Sequence, residues 1–215
     1  MKDVVYTWLG VKKFDNEKFL TPCDYNYDSL AYNSYFTKPG RYFKNTLWGS
    51  PVDENKYFTW RKWCEENSFR NNKFYKNFKL KEDAKILTID SYISLYEFFK
   101  EYGLFDQKEL KEIEEFCNLC KSFYTEKKYE KLSKYDKEYI EDGITNKLYD
   151  DIQDIIYSKE KIIKSWDEIY RRYDGMEVIH FDYNVVHTFF NTWDCDSICV
   201  WNKNKIILLE EGELC

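Results

Sequence analysis

Apolar and polar positions alternate with a period of two near both ends of the chain, whereas the middle repeats with the helical period of about 3.6 residues. The alternating stretches predict strands, and the run over 106–172 predicts helices. The predicted strands cover residues 4–11, 42–48, 86–90, 176–181, 185–190, 197–201 and 205–209.

Two of the predicted helices carry clear start signals. Ser91 stands directly before an apolar stripe at helical spacing, and Gly103 follows the stripe at a position where helices commonly stop. Thr59 is placed to cap a shorter helix whose apolar face holds two tryptophans and a cysteine. The stripe residues are Leu95, Phe98, Phe99 and Tyr102 in the first helix, and Trp60, Trp63 and Cys64 in the second.

The elements follow one another as strands, then helices, then strands. Few strands alternate singly with helices, and this order favours the α+β class over a doubly wound sheet. The chain has 215 residues, a length that suits one large domain or two small ones. We therefore predict a single domain over 1–215, with a helical insertion or covering layer at roughly 104–172.

Composition narrows the class of protein. Aromatic residues make up 20% of the chain, which is too many for a disordered protein. The net charge is −6 and Lys and Arg form no stripe, so nucleic acid is disfavoured as the main partner. No apolar run reaches membrane-spanning length, and Met1–Gly10 is too short and polar for a secretory signal. Together with an odd number of cysteines, seven, these features predict a cytoplasmic protein with reduced thiols.

Three segments are dense in residues suited to chemistry, although each also fits a packing role. They are 47–51 (Leu-Trp-Gly-Ser-Pro), 173–175 (Tyr-Asp-Gly) and 193–202, which begins Trp-Asp-Cys-Asp-Ser. In an extended chain Asp194 and Asp196 lie on the same face. Two neighbouring carboxylates are tolerated when they are solvated, bind a metal or steady a cation. This pair is therefore the strongest candidate for chemistry.

The remaining candidates favour packing. Cys117 and Cys120 fit the apolar face of a predicted helix, and no second pair follows at zinc-ligand spacing. His180 and His187 lie in strand-like runs without a Ser or Cys nucleophile motif. We interpret the two cysteines as core residues and the two histidines as core or surface residues.

Taken in order, the motifs resemble a family of small phage and bacterial proteins with an ADP-ribosyltransferase-like fold. The resemblance covers both ends of the chain and implies a split β core that grips NAD as a substrate. It rests on Lys38-Pro39, the 47–51 segment, Trp-x-x-Trp-Cys at 60–64, Ile-Leu-x-Ile-Asp at 86–90, Tyr-Asp-Gly at 173–175, and Trp-Asp-x-x-Ser-x-x-x-Trp-Asn at 193–202.

The resemblance also implies residue roles. Asp194, with Asp196 as its rival, would be the catalytic carboxylate. It would stabilise the oxocarbenium-like charge that develops as nicotinamide leaves the ribose. ADP-ribose would then pass to a host or phage macromolecule, either a protein or a nucleic acid, and no membrane partner is expected. The residues implied to bind NAD are Trp48, Ser50, Tyr173 and Trp193.

Two other functions fit the sequence. A non-enzymatic acidic inhibitor of phage type would bind a host protein by presenting carboxylates to a basic groove, with the 106–172 helices carrying the function. A metal-dependent hydrolase would use Asp174, Asp194 and Asp196, but no His or Glu completes a recognisable ligand set. We rank the hydrolase last and predict no metal site.

Overall fold

The chain forms two compact units, as seen in a computed structural model. One unit combines Met1–Asp90 with Ser165–Cys215, and the other is Ser91–Lys164. The residues described are 4–15, 46–69, 72–125, 151–152, 154–156, 163–181, 186, 189–190 and 193–214.

The first unit contains a seven-stranded sheet in the order β4-β5-β6-β2-β1-β3-β7. Neighbouring strands pair antiparallel except β4 and β5, which are parallel. Parallel neighbours need a long crossover, and here the chain between them includes the whole second unit. The strands are β1 (Val5–Gly10), β2 (Leu47–Pro51), β3 (Phe74–Leu80), β4 (Ile86–Ile89), β5 (Gly175–Val178), β6 (Ser197–Val200) and β7 (Ile206–Glu213).

Side chains from both ends of the chain build the core of this sheet. Alternate residues of β1 and β3 face the same cluster, which explains the period of two at 4–11. Tyr6 and Phe78 lie opposite each other across these strands, and their rings stack with centroids 5.5 Å apart. The buried members of the cluster are Tyr6, Trp8, Leu47, Phe78, Ile198, Val200 and Ile206.

The predicted helix signals are confirmed. Ser91 caps its helix and forms a capping box with Ser94, and Thr59 accepts a hydrogen bond from the backbone N–H of Lys62. The predicted apolar stripe after Ser91 is buried. The helices are α1 (Trp60–Glu66), α2 (Tyr92–Tyr102), α3 (Gln107–Thr125) and α4 (Trp166–Arg172), and residues 151–152 and 154–156 are also helical.

The α+β class and the mixed, mainly antiparallel sheet are confirmed, while three local predictions differ from the structure. The strand predicted at 185–190 is wrong, because Val186 and Phe189 are helical. β3 was not predicted, since Lys76 and Asn77 interrupt its apolar pattern. β6 begins at Ser197, so the pair Asp194 and Asp196 precedes the strand instead of sharing one of its faces. The predictions for 38–39, 42–45, 126–150, 153, 157–162 and His187 fall outside the described residues.

Candidate functional site

Ser50 and Asp196 join the two predicted motif segments. The Ser50 hydroxyl donates to the backbone oxygen of Asp196 at 2.7 Å and accepts from the backbone N–H of Trp60 at 2.9 Å. The backbone of Asp196 donates to Phe58 O at 2.9 Å, and its carboxylate accepts from Phe58 N at 2.8 Å. The backbone just before and at the start of α1 is therefore fixed by β2 and by the turn before β6.

The Asp196 carboxylate also holds His180. Its Oδ1 accepts from the backbone N–H of His180 at 2.5 Å and lies 3.2 Å from the ring Nδ1. The other ring nitrogen, Nε2, lies 2.7 Å from the backbone oxygen of Trp193, which can only accept, so Nε2 carries a proton. The side chains of His180 and Asp196 are 2% and 5% exposed. Asp196 is thus a buried anchor whose two oxygens are already engaged by the protein.

The tryptophans of the motifs pack in pairs. The rings of Trp48 and Trp193 lie 4.8 Å apart and are tilted by 57° to each other. Trp193 is buried and Trp48 is half-buried. Trp60 and Trp63 stack nearly parallel at 4.9 Å, and Phe69 packs edge-on against both. These rings stabilise the backbone around α1 and β2.

Tyr173 and Asp174 belong to a second group of hydrogen-bonded residues, called here the second node. The backbone oxygen of Tyr173 accepts from the indole N–H of Trp201 at 2.7 Å. The Asp174 carboxylate accepts from Asn202 Nδ2 at 2.7 Å and from the backbone N–H of Lys85 at 2.9 Å. The Tyr-Asp-Gly and Trp-Asn motifs therefore meet in space, and their contacts tie the beginnings of β4 and β5 to the end of β6.

The predicted catalytic pair separates into two different environments. Asp194 is half-buried and Asp196 is buried. Among the described residues, no three His, Cys, Asp or Glu side chains gather closely enough to hold a metal ion. The contacts described above join Trp48 to Trp193, which are both implied to bind NAD, and join Ser50 to Asp196. Tyr173, which is also implied to bind NAD, lies in the second node.

A further buried acid, Glu177, lies on β5. It is 2% exposed and accepts a hydrogen bond from the Tyr6 hydroxyl at 2.7 Å. Burial raises the pKa of Glu177, and the charges of Asp90 and Asp196 raise it further, while the Tyr6 hydrogen bond opposes them. Burial and the Glu177 charge also raise the pKa of Tyr6. In the sequence, the signal for this site was a lone acid within the apolar run Met-Glu-Val.

An open cleft lies beside α1, on the sheet face formed by β1, β3 and β7. It encloses about 220 Å³. Thr59 lies on its wall, between the two residues that Ser50 and Asp196 hold through backbone hydrogen bonds. Ser50 and Asp196 thus hold the backbone beside the cleft without lining it, and Asp194 does not line it either. The other polar residues on its wall are Thr7, Glu54, Arg61, Tyr75, Asn77 and Glu210.

Acceptor groups dominate the polar wall of the cleft. Arg61 Nε lies 3.2 Å from Glu65 and 3.9 Å from Glu54, so its charge is shared with neighbouring carboxylates. Glu210 accepts from the Asn77 side chain at 3.1 Å. The wall carries two carboxylates against one guanidinium, and this balance favours neutral or cationic ligands over anions.

Sequence analysis missed Tyr75, Asn77 and Glu210, the parts of the cleft that β3 and β7 contribute. The sequence signal at Asn77 was weak, because β3 also carries Lys76 and Lys79 among its apolar residues. Comparison with known proteins gave no match: no family model fits the chain, and neither a curated protein nor a solved structure is significantly similar to it. No helix among the described residues is long and apolar enough to cross a membrane.

Proposed function

We propose that the protein is an ADP-ribosyltransferase-like protein that takes the nicotinamide end of NAD into the cleft and transfers ADP-ribose to a protein or nucleic acid. One observation carries the proposal. Two of the motif segments that resemble this family, 47–51 and 193–202, hold the backbone on either side of Thr59 through Ser50 and Asp196, and Thr59 lines a cleft with an aromatic ring and carboxylates on its wall.

The size and charge of the cleft suit one end of NAD. Its 220 Å³ is below the roughly 300–1,000 Å³ of sites that enclose a whole drug-sized ligand. The nicotinamide ring of NAD is flat and positively charged. Tyr75 offers this ring an aromatic face, and Glu54 and Glu210 offer it negative charge. The rest of the dinucleotide would extend out of the cleft.

The reaction consists of one bond breaking and one bond forming. The C–N bond between nicotinamide and C1′ of the ribose breaks, and nicotinamide leaves as a neutral molecule with the bonding electron pair. C1′ then carries positive charge until a nucleophile of the target bonds to it and gives up a proton. A fixed carboxylate nearby stabilises this charge more in the transition state than in the ground state.

We assign this carboxylate to Glu210. Asp196 is unsuitable, because its oxygens are engaged by Phe58 and His180 away from solvent. Asp194 is half-buried but lies outside the wall of the cleft. Glu210 lies on that wall, and its contact with Asn77 fixes one of its oxygens.

The test uses NAD labelled separately on nicotinamide and on adenylate, incubated with the full chain and a cell lysate. We expect nicotinamide release together with transfer of the adenylate label. Glu210→Gln should slow release by about 10²–10³-fold with little loss of NAD affinity, because Gln keeps the hydrogen bond to Asn77 and lacks only the charge. Asp194→Asn is the matched control and should retain activity.

Three results would change the proposal. Loss of release in Asp194→Asn, with Glu210→Gln active, would return the catalytic role to Asp194. Equal activity of both variants and the unmutated protein would show that neither the Glu210 nor the Asp194 carboxylate takes part in the reaction. No binding and no cleavage of NAD by the unmutated protein would overturn the enzymatic function.

A specific surface favours the non-enzymatic alternative. β7 is the last strand of the sheet order, and its Glu210, Glu211 and Glu213 are exposed. A row of carboxylates on a terminal strand suits a basic partner surface. The alternative predicts a complex with a host protein that added salt weakens. Glu210→Gln should also weaken this complex in part.

A further inference from the structure

The amide oxygen of Asn77 is a buried acceptor at the wall of the cleft. Asn77 is 9% exposed, and among the described residues no group donates to its Oδ1. A buried polar atom without a hydrogen-bond partner is unfavourable, so it calls for an explanation. Asn77 also lines the cleft, so a ligand there is the nearest source of the missing donor.

The orientation of this amide follows from its neighbour. Asn77 Nδ2 lies 3.1 Å from Glu210 Oε1, and an ionised carboxylate can only accept hydrogen bonds. The NH₂ group must therefore face Glu210, which leaves Oδ1 as the free end. Oδ1 is itself covered, so a ligand that donates to it needs a modest rotation of the amide, which the broad terminal torsion of Asn permits while Nδ2 stays within reach of Glu210.

Two neighbours complete an acceptor-rich surface. Thr7 lies directly opposite Asn77 on β1, and its hydroxyl makes only a long 3.4 Å contact with Trp8 O. Tyr75 lies two residues before Asn77 and shares its face of β3. The ring of Tyr75 lies close over Gly212, where a Cβ atom would be 2.7 Å from the ring. The cleft thus combines a flat apolar surface with an amide oxygen that has no donor among the described residues.

We propose that Asn77, held by Glu210, selects ligands that carry a primary carboxamide on a flat ring, with the ring against Tyr75 and an amide N–H donated to Asn77 Oδ1. A carboxylate in place of the carboxamide has no N–H and meets the negative charge of Glu210. This selectivity rests on the proposed function only in that nicotinamide carries the carboxamide group of NAD.

The probes are nicotinamide, benzamide and nicotinate, titrated into the full chain and followed by calorimetry and ligand-observed NMR. We expect the two amides to bind and nicotinate to bind roughly tenfold more weakly or not at all, the factor that one lost hydrogen bond supplies. In Asn77→Leu, which has a similar volume, this preference for amides should disappear.

Asn72→Leu is the matched control. Asn72 Oδ1 is also buried without a hydrogen-bond partner among the described residues, but Asn72 does not line the cleft. Its replacement should leave the preference for amides unchanged. Urea unfolding of each variant verifies that the fold is retained.

The results separate this inference from the proposed function. Failure of the amides to bind the unmutated protein, or a preference that survives Asn77→Leu, would overturn the role of Asn77 even if NAD is cleaved. Amide binding that depends on Asn77, in a protein that does not cleave NAD, would support the inference and overturn the transferase function.

Discussion

Glu177 is a buried acid with a raised pKa, and this makes the stability of the protein depend on pH. Between the unfolded pKa of Glu and the higher folded pKa, the folded protein binds more protons than the unfolded chain. Stability therefore falls as pH rises through this window, and above it the buried charge is a constant cost. The Tyr6 hydrogen bond offsets part of that cost.

Glu177→Gln should raise the free energy of unfolding at neutral pH. Gln removes the buried charge and still accepts from the Tyr6 hydroxyl through its carbonyl oxygen. The gain should shrink as pH falls through the folded pKa of Glu177 and vanish below the ordinary pKa of Glu. Urea unfolding of both proteins from pH 4 to pH 8 measures it, and a gain that is independent of pH would contradict this explanation.

Asp196→Asn and Asp194→Asn should differ sharply in stability. In Asp196→Asn the new NH₂ group faces the backbone N–H of either Phe58 or His180, so one buried donor loses its acceptor. We expect a loss of about 1–3 kcal/mol. Asp194 is half-buried, and its replacement should stay within about 0.5 kcal/mol. Equal free energies of unfolding for the two variants would refute the anchoring role of Asp196.

At the scale of elements, Gly175 shows why a motif glycine can be structural. It begins β5 opposite Val200 of β6, and a Cβ atom there would lie 2.8 Å from the backbone oxygen of Cys199. In the sequence Gly175 follows a predicted helix, where a glycine commonly terminates the helix. The structure instead uses it for close approach of two strands, which depends on no unusual backbone angle.

Gly175→Ala should destabilise the sheet by about 1–3 kcal/mol, since a backbone oxygen cannot move aside without disturbing the strand pair. Gly212→Ala is the matched comparison on β7. Its added Cβ would meet the Tyr75 ring, a side chain that can turn, so the cost should be smaller. Thermal and urea unfolding of the two variants compare these costs, and the reverse order would show that the Tyr75 ring is the more rigid neighbour.

β3 shows how tertiary pairing outweighs a weak local pattern. Its centre holds Lys76 and Asn77, which no strand preference favours. Both are nevertheless buried, because β1 and β7 pair with β3 on either side. β7 also supplies a partner for each side chain, Glu211 for Lys76 and Glu210 for Asn77. The partners lie more than 130 residues along the chain, at a separation of 133 for Asn77 and 135 for Lys76.

At the scale of the whole molecule, each unit contains a thiol that reports its own unfolding. Cys195 lies in the unit with the sheet and Cys117 in the helical unit. Burial raises the pKa of each thiol to about 12, so the reactive thiolate is scarce in the folded protein near neutral pH.

Alkylation at pH 8 with mass spectrometry of the peptides should find both cysteines protected in the native protein. As urea is raised, each should react when the unit that holds it unfolds, so the two labelling curves give the stability of each unit separately. Rapid labelling of Cys117 or Cys195 without denaturant would contradict the burial on which this prediction depends.

Local spacing alone determined much of the secondary structure. Ser91, Thr59 and Gly103 mark helix ends through contacts within one turn, and the stripe from Leu95 to Tyr102 needs only the helical period. The α+β class followed from the order of such elements. The single domain, the split β core and the use of NAD as a substrate stay predictions. The motif residues Ser50 and Asp196 hold backbone segments in place through hydrogen bonds.

The cleft was decided by the tertiary structure. Asn77 and Glu210 meet because β3 pairs with β7, and Ser50 reaches Asp196 across 146 residues because β2 pairs with β6. No local pattern encodes which strands become neighbours or in which register, since that choice depends on how the whole core packs. The sequence therefore specified the individual strands and helices, whereas packing decided which polar side chains share a site.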